Sequence, residues 1–76
     1  MSRKYHGWIV VEHEEGFRDQ IFVEWNEGNT RKREQMGFGE SGCAKAVEWW
    51  DKKLNTHVQL QPMLRGSYRV YIEEAE

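Results

Sequence analysis

The stretch MGFGESGCAKAVEWWDKKLN, residues 36–55, contains the only strongly helical repeat in this chain. Within it, apolar residues recur at positions i, i+3, i+4, i+7 and i+11, which is typical of a helix with one buried face. This spacing predicts a helix over residues 41–55 that lies on a sheet formed by the rest of the chain. The residues of the apolar stripe are Cys43, Ala46, Val47, Trp50 and Leu54.

The segments on either side of this helix have the composition of β-strands. Before it, β-branched and aromatic runs between glycine-containing turns predict strands at residues 7–13, 20–26 and 29–36. After it, alternation of apolar and polar residues predicts strands at 58–61 and 67–73. We therefore expect a single α+β domain over residues 1–76, with a three-stranded antiparallel meander, one helix packed on one sheet face, and then one or two C-terminal strands. Three placements are open for those C-terminal strands: they extend the sheet, form a separate hairpin, or lie on its other face.

The turns indicate which side chains share a face of the sheet. If the turns are centred on Glu15-Gly16 and Glu27-Gly28, then Trp8 lies opposite Val23. The helix is then expected to pack on the face that holds Trp8, Val10, Ile21, Val23, Trp25 and Met36. The opposite face, here called the outer face, is expected to hold Ile9, Val11, Phe22, Arg31 and Arg33. This outer face mixes apolar and basic residues, which is unusual for a sheet face left open to water.

The composition favours an ordered domain that binds rather than catalyses. The chain has a net charge of −2, so contact with nucleic acid depends on a local basic patch. A single cysteine excludes an internal disulfide, and the three histidines are too far apart in sequence to suggest a metal site. No nucleophile can be paired with a base, and no phosphate-binding loop follows a strand. We expect no enzymatic activity, no cofactor and no metal.

No apolar run is long enough to span a bilayer, and no apolar segment follows the basic N-terminal residues. We therefore expect a cytoplasmic protein without membrane contact.

Two features indicate where a partner binds. Arg31, Lys32 and Arg33 follow a turn on the third strand, where they can reach phosphates or can protect an edge strand from aggregation. Trp49, beside Lys45 on the helix flank, either completes the core or anchors an interface. The predicted binding residues are Arg31, Lys32, Arg33, Phe22, Ile9, Val11, Trp49 and Lys45.

Residues 20–50 place a basic strand, a Gly-Phe step and a helix containing Ala and Trp in succession. This order resembles the arm-type DNA-binding domain of phage tyrosine integrases, which consists of a three-stranded sheet and a helix. The resemblance implies that the exposed sheet face enters a DNA groove. The matching residues are Arg31, Lys32, Arg33, Gly37, Phe38, Ala46 and Trp50.

The same run is also similar to the end of a double-stranded RNA-binding domain. In that family the final strand leads through a Gly-rich turn into a helix containing Ala and Lys. The matching residues are Gly37, Gly39, Ser41, Ala44, Lys45, Ala46 and Leu54.

Two functions remain open at this point. The first is a small binding protein of phage or mobile-element type that acts by protein–protein interaction, as an inhibitor or adaptor, with a protein partner or a second copy on the outer face. A pI near 5.9 favours it. The alternative is a domain that binds DNA or RNA with the basic third strand and the outer face.

Overall fold

The computed structural model describes residues 2–16 and 18–75. All strands in this part of the chain form one antiparallel sheet with the order β3-β2-β1-β5-β4, and the helix packs on one of its faces. The elements, in chain order, are β1 (Ser2–Glu12), β2 (Gln20–Glu27), β3 (Thr30–Phe38), α1 (Gly39–Leu54), β4 (Gln59–Pro62), a 3₁₀ turn (Leu64–Gly66) and β5 (Tyr68–Glu74).

This architecture confirms an α+β fold with one helix on one sheet face. Of the three placements left open for the C-terminal strands, the structure has the one in which they extend the sheet of the meander. β5 pairs with β1, so it extends the sheet on the side away from β3, and β4 pairs with β5 at the edge. β1 also begins at Ser2, well before the predicted start at residue 7.

The hairpin between β2 and β3 is closed by a two-residue turn. Gly28 has a φ of +62°, and a positive φ at the first turn residue is typical of type II′ hairpins. This turn is centred on Gly28-Asn29 rather than on Glu27-Gly28 as predicted, which shifts the pairing along the strands and places Glu24 opposite Arg33. The shift does not change which residues of β3 share a face, and Arg31 and Arg33 lie on the outer face with Phe22, as predicted.

The predicted face of β1 is wrong. Trp8 lies opposite Glu24, so Trp8 and Val10 are on the outer face while Ile9 and Val11 face the helix. A longer loop replaces the expected tight turn between β1 and β2, and a shift of one residue exchanges the two faces of a strand.

The core is centred on Trp50. Its ring lies against Gly7, where an added Cβ atom would stand 2.6 Å from ring carbons Cη2 and Cζ2 and 2.5 Å from the carbonyl oxygen of Glu24. The indole Nε1 donates a 3.2 Å hydrogen bond to the carbonyl of Trp8. Glycine is therefore required at position 7. The buried residues that pack with Trp50 are Ile9, Ile21, Val23, Ala46 and Val70.

A β-bulge interrupts β1 beside this contact. The pairing with β5 passes from Tyr5 opposite Tyr71 to Gly7 opposite Val70, which leaves His6 as the extra residue. An extra residue reverses the alternation of side chains. Tyr5 therefore lies on the outer face with Tyr71 although Gly7 faces the helix.

Helix α1 ends at Leu54 and is followed by the C-cap residue Asn55, which has a left-handed φ of +52°. Oδ1 of Asp51, in the last turn, accepts a 2.9 Å hydrogen bond from the backbone N–H of Val58 and so fixes the approach to β4. Neither helical segment in residues 2–16 and 18–75 combines the length and apolarity needed to cross a membrane.

Replacing Gly7 with alanine is expected to destabilise the fold by about 2–3 kcal/mol, because the methyl group would overlap the Trp50 ring and the Glu24 carbonyl. Urea denaturation measures the loss. Gly16→Ala is the control, since no atom lies within 4 Å there and only the left-handed φ of +81° is penalised, by about 1–2 kcal/mol. A smaller loss for Gly7→Ala than for Gly16→Ala would show that the contact with Trp50 does not require glycine.

Candidate functional site

Arginine side chains lie over aromatic rings across the outer face of the sheet. The helix packs on the other face. Alternation along the strands places Arg3, Arg31, Arg33 and Arg69 on the outer face and Lys4 and Lys32 on the helix side. The four pairs, with the distance from the guanidinium carbon to the ring centroid, are Arg31 over Trp8 at 3.9 Å, Arg33 over Phe22 at 3.8 Å, Arg69 over Tyr5 at 3.9 Å and Arg3 over Tyr71 at 4.5 Å.

These stacks explain how the outer face tolerates large aromatic side chains. A guanidinium over a ring is attracted to its π-face, by about 0.5–1 kcal/mol at an exposed site, and it shields the ring from water. Tyr71, for example, is only 7% exposed although no helix covers it. The outer face is therefore a surface of charged planar groups supported by aromatic rings, not an open apolar patch.

Two carboxylates neutralise the part of the outer face on β2, β3 and the end of β1, which we call the paired half (Glu12, Phe22, Glu24, Arg31 and Arg33). Glu24 has a side chain only 12% exposed, and it accepts hydrogen bonds from Arg31 at 2.7 Å and Arg33 at 3.0 Å. Arg33 also donates to Glu12 at 2.7 Å, and this bond is the main cause that raises the pKa of Arg33. Both arginines of the paired half are thus held by carboxylates as well as by rings.

The part of the outer face on β4, β5 and the start of β1, which we call the open half, contains Arg3, Tyr5, Gln61, Arg69 and Tyr71, with Glu73 opposite Arg3 at its end. The rings of Tyr5 and Tyr71 have centroids 5.6 Å apart, and the Tyr5 hydroxyl donates a 2.7 Å hydrogen bond to Oε1 of Gln61. Within residues 2–16 and 18–75, no carboxylate oxygen lies within 4.0 Å of Arg3 or Arg69. The Nε–H of Arg69 is buried and has no hydrogen-bond partner among those residues.

The structure brings together only part of the predicted binding set. Arg31, Arg33 and Phe22 meet on the outer face, whereas Lys32 points to the helix side, because neighbouring strand residues alternate. The predicted place of Ile9 on the outer face is wrong, since Ile9 is 1% exposed in the core on the helix side. Val11 is likewise misplaced, because it packs against the same core.

Trp49 and Lys45 lie on the helix side of the molecule, away from the outer face. Trp49 is half-buried, with its ring 5.1 Å from that of Trp25 and edge-on to Trp50 at 5.0 Å. The amine of Lys53 lies over the rings of Trp25 and Trp49. The indole therefore completes the flank of the core, which was one of its two predicted roles, and exposed Lys45 lines a shallow depression next to it.

The arginine and aromatic residues of the outer face that were missed from the sequence are Arg3, Tyr5, Trp8, Arg69 and Tyr71. The alternation of Arg69 and Tyr71 along β5 was visible, but nothing local indicates that β5 pairs with β1. Gly7 inside a strand was a signal for the bulge that turns Tyr5 to the outer face.

Other reactive groups do not form a second site in residues 2–16 and 18–75. Burial raises the pKa of the half-buried Cys43 thiol, which disfavours the reactive thiolate. No group of three or more His, Cys, Asp or Glu side chains in these residues is placed to hold a metal ion.

His13 fastens the loop after β1 to the 3₁₀ turn. Its Nδ1 lies 2.8 Å from Oδ1 of Asp19, and its Nε2 lies 2.9 Å from the carbonyl oxygen of Arg65. Both partners are acceptors, so only the protonated imidazole can donate to both at once. The Arg65 carbonyl, followed by Asp19, raises the pKa of His13 above 6.5.

Replacing Glu24 with glutamine is expected to destabilise the fold by about 1–2 kcal/mol, because a neutral amide cannot hold two guanidinium groups. Urea denaturation is the measurement. Glu34→Gln, at an exposed position on the other side of β3, is the matched control and is expected to change stability by less than about 0.5 kcal/mol. Equal effects would show that Glu24 does not organise the paired half.

The His13 contacts are expected to make stability depend on pH. Because the folded pKa is raised, their contribution is fully present below the unfolded value of about 6.5 and is lost as the pH rises through the folded pKa. NMR titration of the His13 ring measures the shift, and Asp19→Asn should reduce it. In His13→Gln the contribution of His13 to the change of the unfolding free energy with pH should disappear. If the unfolding free energy of this variant changes with pH as in the native chain, the His13 contacts are not the source.

Comparison of the chain with models of protein families, with curated proteins and with solved structures found no match. The function proposed below therefore rests on the geometry and charge of the outer face.

Proposed function

We propose that this domain is a non-catalytic binding protein that acts by protein–protein interaction, as an inhibitor or adaptor, through its outer face. The observation that carries the proposal is the set of four arginines stacked on aromatic rings across a sheet face that no other element covers in the described part of the chain.

The residue types on the outer face favour a protein partner. Binding energy in protein interfaces concentrates in Trp, Tyr and Arg, while Lys is depleted there. The outer face contains Trp8, Tyr5 and Tyr71 together with its arginines, and the lysines of the strands, Lys4 and Lys32, lie on the helix side. Stacking and ion pairs hold these side chains in place, so less side-chain entropy is lost when a partner binds.

The dimensions of the outer face also suit a protein partner. Five strands of 4 to 11 residues, about 4.8 Å apart with a rise of about 3.3 Å per residue, span roughly 600 Å². A standard interface buries about 800 Å² on each partner, so this face supplies most of one side.

Nucleic-acid binding is the second candidate, and one observation favours it. Arginine stacked on aromatic rings also occurs where proteins bind single strands, and the outer face has four such pairs. However, Glu12 and Glu24 already hold Arg31 and Arg33, and these carboxylates would repel phosphates. For this reason a protein partner is preferred.

Two neighbouring residues of β3 provide a matched test of the proposal. Arg31→Glu and Lys32→Glu change the charge equally at exposed adjacent positions, but Arg31 lies on the outer face and Lys32 on the helix side. Arg31→Glu is expected to weaken capture of a protein partner from a host lysate by about tenfold or more, and Lys32→Glu to leave it within about twofold. Quantitative mass spectrometry measures retention, and amide NMR spectra verify that both variants are folded.

Equal loss in the two variants would contradict an interface on the outer face. Failure to retain any protein would contradict the proposal when sedimentation also shows a monomer, whereas a dimer disrupted only by Arg31→Glu would identify a second copy as the partner. A duplex or single strand that binds at low salt and dissociates steeply as salt rises would favour the nucleic-acid alternative.

A further inference from the structure

We propose that the open half of the outer face is a binding site for an acidic peptide segment, whose carboxylates are received by Arg69 and Arg3. This inference rests on the proposed function and names the chemistry of the partner at one part of the same face.

Arg69 has no carboxylate partner in the described part of the chain, and its position suits contact with a ligand. Its guanidinium is stacked on Tyr5, and its backbone lies between Trp8 on β1 and Gln61 on β4. In residues 2–16 and 18–75 no carboxylate lies within 4.0 Å of it, in contrast to Arg31 and Arg33. A guanidinium held by stacking keeps its planar fork oriented, which suits bidentate recognition of a carboxylate.

Arg3 and Gln61 extend this site. Arg3 lies over Tyr71, whose ring centroid is 5.6 Å from that of Tyr5, so the two arginines occupy neighbouring rings. Oε1 of Gln61 accepts hydrogen bonds from Tyr5 at 2.7 Å and from Arg3 at 3.5 Å, which leaves its amide N–H groups as donors. The open half thus offers hydrogen-bond donors from Arg3, Arg69 and Gln61 beside the rings of Tyr5 and Tyr71.

The distribution of carboxylates favours a peptide over a nucleic acid at this site. Glu12 and Glu24 lie in the paired half, and Glu73 lies opposite Arg3 at the far end of β5. A polynucleotide carries a negative charge at every residue and would pass these groups wherever it crossed the face. A peptide can place carboxylates at Arg69 and Arg3 and neutral residues elsewhere, so its charges can be matched to this face.

Titration of the isotope-labelled protein with a blocked octapeptide of alternating Glu and Ser tests the inference. In an extended peptide this alternation places every carboxylate on one side. Amide NMR shifts are expected to centre on Tyr5, Arg69 and Tyr71. The double variant Arg3→Gln/Arg69→Gln is expected to bind at least about tenfold more weakly, and Arg31→Gln/Arg33→Gln to lose less affinity than this open-half variant does.

Lys4→Gln, which changes the charge next to Arg3 on the helix side, controls for net charge and is expected to leave binding within about twofold. Thermal unfolding of each variant separates loss of binding from loss of fold. Arg69→Lys provides a second variant, which keeps the positive charge but loses the planar guanidinium fork. It should therefore bind the peptide more weakly than the native chain.

Three results would overturn the inference: no binding of the Glu peptide, equal binding of a peptide with Gln in place of Glu, or tighter binding of an oligothymidylate of equal length. An equal loss in the Arg31→Gln/Arg33→Gln variant would also overturn the assignment to the open half, while leaving binding by the outer face intact. Because the titration needs no natural partner, its failure is distinct from failure of the lysate experiment.

Discussion

The contact between Trp50 and Gly7 is the constraint on which the rest of the structure depends. The indole reaches the sheet only where β1 lacks a Cβ atom, and its N–H is satisfied by the neighbouring carbonyl of Trp8. This contact sets where α1 crosses the sheet. The bulge at His6 lies beside it and turns Tyr5 to the opposite face. A packing requirement on the helix side is therefore linked to the composition of the outer face.

Local sequence signals predicted the parts of the fold that depend on short-range geometry. The apolar stripe of α1 and the alternation of side chains along each strand could be recognised from the spacing of residues that are close in sequence. The face of β3 was also predicted correctly, because the tight turn at Gly28 preserves the alternation between β2 and β3. For β1 the longer loop gave no such constraint, so the predicted face was wrong.

The candidate site depended mainly on pairing between distant segments. Arg31, Arg33 and Phe22 were identified because they share one hairpin. Arg69 and Tyr71 join them only because β5 pairs with β1 across more than half of the chain, and no short-range pattern encodes that choice. The pairing of distant strands depends on which arrangement of the sheet buries the most apolar surface. Val70 of β5 lies in the core and contributes to that buried surface.

The separation of the two kinds of basic residue has a chemical consequence. Lys4 and Lys32 lie on the helix side of the sheet, and Lys45, Lys52 and Lys53 lie on the helix itself, whereas the strand arginines are all on the outer face. Reagents that acylate lysine amines would therefore modify one side of the molecule and leave the guanidinium surface chemically unchanged. The domain can be attached to a bead or a dye through its lysines with the outer face directed toward solution.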